Sequence, residues 1–163
     1  MPDPESSAPP SPDAGLRRSA LAVLARATPA LLADHWLAYA AAHGGEPAFT
    51  RLRGPETGLT MVRGRMGGTG QPFSLGETTV TRCTLRLAAG QVGTGYVLGR
   101  DRRQAEIAAL VDALLQDPAR RDELQASVIA PLAAAQARRA GQRAAATDAT
   151  KVEFFTLVRG EDA

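Results

Sequence analysis

The strongest constraint on the fold is a change of residue pattern along the chain, from helical spacing to strand alternation and back. Residues 16–43 place apolar side chains every three to four positions, which is typical of helices that bury one face. Across residues 48–99, apolar and polar residues alternate and β-branched residues are frequent, which indicates strands. Helical spacing returns at Arg102. The pattern predicts an α+β fold.

The predicted sheet is antiparallel with about four to five strands, two helices before it and two to three helices after it. A C-terminal strand with two partly apolar faces is expected near the end of the chain, where Val152, Phe154 and Thr156 alternate with Glu153, Phe155 and Leu157. A strand with apolar residues on both faces lies inside a sheet or against another chain. The other four predicted strands cover residues 48–53, 57–66, 78–87 and 90–99. In the third of these, Cys83, Leu85 and Leu87 are expected on one face and Arg82 and Arg86, with Val80, on the other.

The first 14 residues are expected to form a disordered, proline-rich tail, because they hold five prolines and no large apolar residue beyond the first methionine. Residues 15–163 are then a single domain. One cysteine, Cys83, fits a reducing compartment, and neither a secretory signal nor a membrane-spanning run is recognised. A cytoplasmic protein is expected.

Large apolar side chains are scarce. The chain has four Phe, two Tyr and one Trp, and much of its 44 % hydrophobic content is alanine. Alanine buries little apolar area, so the core is either thin or completed by a partner.

Positive charge is concentrated in the middle of the chain. Residues 51–103 contain nine arginines and three carboxylates, which gives a net charge of +6. Such a local excess suggests an anionic ligand or an acidic partner surface.

Two segments are candidates for contact with a partner or a phosphate. Glycines in the first can turn backbone N–H groups toward a common anion, although a glycine-rich hairpin loop explains the same residues. The second flanks the predicted N-terminus of a helix, where Asp101 already serves as the cap. The candidate residues are Arg63, Arg65, Gly67, Gly68, Thr69 and Gly70 in the first segment and Arg100 and Arg102 in the second.

Sequence motifs for catalysis are missing. The phosphate loop, the dinucleotide fingerprint, the zinc-protease helix and the nucleophile elbow are not found. A lone cysteine on a strand, such as Cys83, is typical of a core residue rather than of a nucleophile. We therefore predict no catalytic residue, no metal ligand and no cofactor bound by this chain.

The sequence resembles the PhnG family, the G subunits of the bacterial carbon–phosphorus lyase core complex. The likeness extends over nearly everything from residue 16 onward. Three groups of residues in a fixed order carry it: Arg65 through Gly70, Gly99 through Asp101, and Phe154 through Gly160.

The resemblance implies a supporting subunit that works with the H, I and J subunits, closest to I, and with the L subunit for activity. Together, G, H, I and L displace adenine from MgATP with an alkylphosphonate, which gives an α-D-ribose 1-alkylphosphonate 5-triphosphate. MgATP is a substrate of the complex, a transferase, and this subunit alone is expected to be inactive. Phe154, Phe155 and Arg159 are then expected at a partner interface.

A different class of function is a module that binds single-stranded nucleic acid or another anion on a basic antiparallel sheet. Such modules need aromatic side chains interleaved with the charges. The strand region offers Phe49, Phe73 and Tyr96, without such interleaving. Neither a nucleic acid nor a membrane is therefore expected as a partner.

Overall fold

A computed structural model describes residues 12–66 and 69–150 of the chain. Two helices precede a three-stranded sheet, and helices follow it. The elements are α1 (Pro12–Ala25), α2 (Pro29–Ala42), β1 (Phe49–Arg65), β2 (Pro72–Leu87), β3 (Val92–Leu98), α3 (Arg102–Leu114), α4 (Pro118–Leu124), a π-helical turn (Gln125–Ile129) and α5 (Ala130–Asp148).

The described sheet is antiparallel with the order β1-β2-β3. The α+β class and the antiparallel pairing agree with the prediction, but the described strands number three rather than four to five. Residues 48–53 and 57–66, predicted as two strands, form the single strand β1. Gly54 and Pro55 do not interrupt it, because β1 is an edge strand with register shifts at this place, where a proline is tolerated.

Helix α3 lies directly against β3 because two glycines let the backbones approach. An ideal Cβ atom at Gly95 would lie 1.9 Å from the carbonyl oxygen of Ala105, and one at Gly93 would lie 1.9 Å from that of Ala109. Ala105, Ala109 and Ala113 share one helix face at a spacing of four residues. No larger residue fits at either glycine, so this contact fixes the helix on the sheet.

Two carboxylates of α3 are buried in this packing. Asp112 accepts hydrogen bonds from Nε and Nη2 of Arg17, at 2.7 and 2.8 Å, and from the backbone N–H of Thr94, at 2.8 Å. Glu106 accepts from Nε of Arg51 at 2.6 Å. Buried carboxylates need such partners to offset the loss of water, and the pairs connect α1, β1 and β3 to α3.

The core lies between the sheet and the helices. The β2 residues Cys83 and Leu85 face α3, while Arg82 and Arg86 point to the opposite, exposed face, as the alternation predicted. Trp36 and Leu32 of α2 are also fully buried.

Three helices follow the sheet in the described chain, as predicted. Helix α3 ends at Leu114, and Pro118 begins α4, where its missing N–H needs no partner. The π-helical turn then joins α4 to α5 without interruption.

Two further predictions concern the ends of the chain, an N-terminal tail and a C-terminal strand. Helix α1 begins at Pro12, inside the stretch 1–14 predicted as a tail. The predicted C-terminal strand, with Phe154, Phe155 and Arg159, lies outside the described residues.

We expect Gly95→Ala to lower the free energy of unfolding by more than about 3 kcal/mol, because the added Cβ collides with helix backbone that cannot move independently. Urea unfolding followed by circular dichroism measures the change. Gly141→Ala is the control, since Gly141 lies on an exposed part of α5 where an added Cβ would meet no atom within 4 Å, and it should stabilise by up to about 1 kcal/mol. Equal stabilities for the two variants would contradict the packing described here.

Candidate interaction surface

The hairpin of β1 and β2 extends well beyond the rest of the sheet. Strand β3 ends at Leu98, opposite Val80, whereas β1 and β2 continue to pair as far as Arg65 and Pro72. We call residues 58–66 and 69–79 the ribbon. Over this length no third strand of the described chain lies beside β2.

The ribbon exposes large apolar side chains on both of its faces. Leu59 and Met61 are opposite Thr79 and Glu77, and so lie on one face. The other face carries Phe73 and Leu75. Their exposed fractions run from 43 % to 66 %, and Met66 at the tip reaches 76 %. An exposed apolar patch of this kind marks a site of association.

The glycine-rich segment forms the tip of the ribbon. The N–H of Gly70 donates to the carbonyl oxygen of Met66 at 3.0 Å, and Nη1 of Arg65 donates to the carbonyl oxygen of Gly70 at 3.1 Å. A Cβ atom at Gly70 would lie 2.6 Å from the same Met66 oxygen, so glycine is required there. Thr69 is exposed, and Gly67 and Gly68 lie outside the described residues. The described part of the tip is therefore a hairpin turn that uses Arg65 for its own backbone.

The two segments predicted to bind an anion are not brought together. Asp101 caps α3, with Oδ1 accepting from the N–H of Gln104 at 2.8 Å, at the base of the ribbon. Thr79 marks that base, because its carbonyl oxygen accepts from the N–H of Gly99 at 2.9 Å. The tip begins at Pro72, seven residues along β2, a distance of about 23 Å.

Three of the predicted arginines present free charge. Within residues 12–66 and 69–150, no carboxylate lies in ion-pair range of Arg63, Arg100 or Arg102, and all three are exposed. Arg63 lies on the ribbon, next to its exposed apolar side chains. Its charge is therefore available to an acidic group that approaches the ribbon.

Other arginines of the basic region are already paired. Arg103 donates through Nη1 to Glu106 at 2.9 Å and to Glu46 at 3.2 Å, and Arg82 lies 3.3 Å from Glu56. Glu46 also accepts from Nε1 of Trp36 at 3.3 Å. The hydrogen bonds from Arg103, and then from Trp36, lower the pKa of Glu46 against the opposing effect of burial.

Cys83 is a core residue, as predicted. Its side chain is fully buried, and its Sγ lies 3.5 Å from the carbonyl oxygen of Arg53. Burial, together with the negative charge of Glu106, raises the pKa of the thiol, which disfavours the nucleophilic thiolate. Among the described residues, no group of three or more His, Cys, Asp or Glu side chains is arranged to hold a metal ion.

In the part of the sheet that the structure describes, aromatic side chains do not interleave with the arginines as a nucleic-acid platform requires. Tyr96 is opposite Arg82 on the sheet, while Phe73 is nine residues further along β2, a distance of about 30 Å. Phe49 is half-buried and stacks against Arg51, whose Cζ lies 5.1 Å from the ring centre.

The described chain also has a groove of about 690 Å³ near the C-terminal end of α3. Leu16 and Leu21 of α1 line it together with Leu115 and Asp122. None of the residues predicted from the sequence lines this groove. In the part of the chain that the structure describes, no helix has the length and apolar character needed to cross a membrane.

Two features of the site region were missed in the sequence. Gly93 and Gly95 fail as a dinucleotide fingerprint, and their actual role is to accommodate α3. The sequence feature that could have indicated this helix contact is the set of alanines at 105, 109 and 113, which repeat at helical spacing. The buried carboxylates Glu106 and Asp112 were also missed, because their pairing arginines lie 55 and 95 residues away in the chain.

An α+β chain with a projecting ribbon of exposed apolar side chains has the features of proteins that associate with other chains. A family model described as "Phosphonate metabolism protein PhnG" matches residues 16–160. The chain is also 48 % identical over 157 residues to the "Alpha-D-ribose 1-methylphosphonate 5-triphosphate synthase subunit PhnG" of Rhizobium meliloti (strain 1021), covering 93 % of this chain and 96 % of that protein. The chain belongs to the PhnG family.

We expect Glu46→Gln to reduce the free energy of unfolding by about 1 kcal/mol at pH 7. Since the folded-state pKa of Glu46 is below its ordinary value of 4.5, its stabilisation is present above that value and is lost as the pH falls through the folded-state pKa. The difference between the two proteins should therefore shrink below about pH 4.5, as measured by urea unfolding at several pH values. Glu56→Gln, which alters the more exposed pair with Arg82, is the control and should have little effect at any pH.

Proposed function

We propose that this chain is a supporting subunit of the complex that makes α-D-ribose 1-methylphosphonate 5-triphosphate in organic phosphonate catabolism. In this reaction, an alkylphosphonate displaces adenine from MgATP. The relative from Rhizobium meliloti is named as a subunit of such a synthase, and the two chains are similar over nearly their whole lengths. We assign the transferase activity to the complex and no catalytic residue to this chain.

The partners in this proposal are the H, I and J subunits of the carbon–phosphorus lyase core, with I in closest contact, and the L subunit for activity. These partners are inferred from the resemblance of the sequence to the PhnG family. The complex is expected in the cytoplasm, and Phe154, Phe155 and Arg159 are proposed to contribute to the interface.

The observation that carries the proposal is the ribbon. A two-stranded ribbon has little stability by itself in water, and this one is lined on both faces by exposed apolar side chains. Leu59 and Leu75, on opposite faces, are exposed by 66 % and 65 %. A partner that encloses the ribbon would bury both faces and would supply the apolar contacts that the chain lacks.

Charge adds a second element to the same surface. Arg63 places on the ribbon a guanidinium that has no carboxylate partner among the described residues, and Arg65 fixes the shape of the tip through Gly70. Arginine suits interfaces, because its planar group makes bidentate contacts with a carboxylate or a phosphate. We propose that Arg63 contacts an acidic side chain of the partner and not the triphosphate, since Arg100 and Arg102 lie at the other end of the ribbon and Arg65 is bound to the backbone of the tip.

The ribbon is tested by Leu59→Asp and Leu75→Asp in the chain co-expressed with its partner subunits. Each change places a charge where apolar burial is required, and we expect the amount of chain that copurifies with a tagged I subunit to fall by about tenfold or more. The matched control is Leu37→Asp on α2, which is 62 % exposed but outside the ribbon and should copurify normally. Normal copurification of both ribbon variants would refute the proposal that the ribbon binds the partner.

Arg63→Ala tests the charged contact. Loss of one charge-assisted hydrogen bond should weaken the affinity for the I subunit by about five- to tenfold, measured by titration of the purified components. Adenine release per assembled complex should remain normal. Arg18→Ala should alter neither quantity, because Arg18 is exposed on α1 next to Arg17, which pairs with Asp112 near the C-terminal end of α3, away from the ribbon. A normal affinity with slower adenine release would instead place Arg63 at the triphosphate, against our assignment.

A further inference from the structure

Among the described residues, no strand occupies the position beside the ribbon on the β3 side of β2, which we call the vacant position. Strand β3 occupies the third place of the sheet next to residues 80–86, and the bond from Gly99 to Thr79 is where this pairing ends. Because backbone groups of a strand alternate between its two sides, the N–H and C=O of Glu77 point to the same side as those of Thr79. Beside Pro72–Thr79, therefore, β2 presents an open edge that can accept a strand, although the register shift between Val62 and Arg63 makes Leu75 an extra residue, and the alternation starts again at Ser74.

A strand in this position would need apolar side chains on both faces. Ser74 Oγ donates to Sδ of Met61 at 3.2 Å, so Ser74 lies on the face of Met61 and Leu59. Phe73 and Leu75 lie on the other face, where a Cβ added at Gly64 would be 2.9 Å from Cδ1 of Leu75. A strand with one apolar face would therefore leave one of these two surfaces without a matching neighbour.

Helix α5 leads the chain toward the ribbon end of the molecule. Gln136 donates through Nε2 to the carbonyl oxygen of Val23 at 2.7 Å, and Arg139 donates to the hydroxyl of Thr28. The turn between α1 and α2 lies beside the start of α3, since Nε2 of Gln104 donates to the carbonyl oxygen of Ala27 at 2.9 Å. The start of α3 follows directly on the end of β3, which is the base of the ribbon. Helix α5 is thus directed toward this end.

The last part of α5 extends past these contacts. Residues 138–150 are all exposed, and the nine residues from 140 to 148 add about 14 Å of helix beyond Arg139. The chain continues for 13 residues beyond Thr150, which span up to about 43 Å when extended. That length is enough to reach the ribbon and run along its edge.

We propose that residues 152–158 dock as a strand in the vacant position beside Pro72–Thr79 of the same chain. Val152 and Phe154 would lie on one face of this strand and Phe155 and Leu157 on the other, which matches the two apolar faces of the ribbon. Because both parts leave the body at the same end, pairing within one chain has a high effective concentration. The added strand would occupy the backbone hydrogen-bonding edge of β2 and would leave the two apolar faces of the ribbon accessible to a partner. The inference therefore does not rest on the proposed function.

The first test is hydrogen exchange in the purified protein, as the full chain and as a chain that ends at Thr150. We expect the amides among residues 73–79 that point to the vacant position, such as that of Glu77, to exchange about tenfold faster or more in the shortened chain, because their backbone partners are gone. The alternate amides, which point to β1 in both proteins, should change less. The amides of residues 83–87, which pair with β3 in both proteins, serve as the control for folding. Equal exchange at 73–79 in two folded proteins would overturn the proposal.

The second test keeps the chain at full length and identifies the occupant. Ser74→Cys is combined in turn with a cysteine at each position from 152 to 157, and the protein is oxidised, alone and in the complex with its partner subunits. We expect a disulfide within one polypeptide, seen as a linked peptide by mass spectrometry at monomer size, for one or two of these pairs. Native Cys83 is buried and does not compete.

The controls distinguish docking of the same chain's C-terminal segment from docking of a second copy or of a partner subunit. Leu37→Cys on α2, combined with the same C-terminal cysteines, should give no disulfide, because α2 does not adjoin the vacant position. A disulfide between two copies, or the absence of any disulfide with Ser74→Cys in both preparations, would overturn docking within one chain. Protection of residues 73–79 that depends on a partner subunit, and not on residues 151–163, would do so as well.

Discussion

The close approach of α3 to β3 is the contact on which the rest of the structure depends. Gly93 and Gly95 let the helix backbone rest on the strand, and this position directs Asp112 and Glu106 toward the arginines that hold α1 and β1. It also limits the area that the helix covers. Helix α3 has 13 residues and is about 20 Å long, whereas β2 has 16 residues and is about 53 Å long. The ribbon is the part of the hairpin that the helix cannot reach.

The elements with strong local signals were predicted well from the sequence. Asp101 caps α3 through Gln104, and the alternation in β2 correctly separated the buried Cys83 from the exposed Arg82. Both results follow from interactions between residues that are close in the chain. The merging of two predicted strands into β1 could not be predicted in this way, because Pro55 is acceptable at the edge of a sheet and only the tertiary structure shows which strand is the edge.

The sequence identified the arginines and glycines of the candidate site, but it did not show how far apart they lie or which of them are paired. Arg63 and Arg102 look equivalent in the sequence, since both are arginines near a turn, but they lie at opposite ends of the ribbon. Arg51 and Arg103 contribute to the same basic region, yet they neutralise Glu46 and Glu106 inside the protein. A local count of charges cannot distinguish these cases, because the carboxylates involved come from other elements. The apolar character of the ribbon, which alternation alone does not reveal as exposed, is the stronger feature.

The π-helical turn at Gln125–Ile129 sets which face of α5 packs against the protein. Such a turn accommodates one residue more than a regular α-helical turn, and each residue of a helix rotates the following side chains by about 100°. With this extra residue, Leu132 faces the core and Gln136 faces α1. A chain lacking one residue of the turn would keep a continuous helix, but its α5 side chains would be rotated by about 100°, and Leu132 and Gln136 would lose these positions. The number of residues in the turn is therefore constrained by the packing of α5 more strictly than the identity of its exposed side chains.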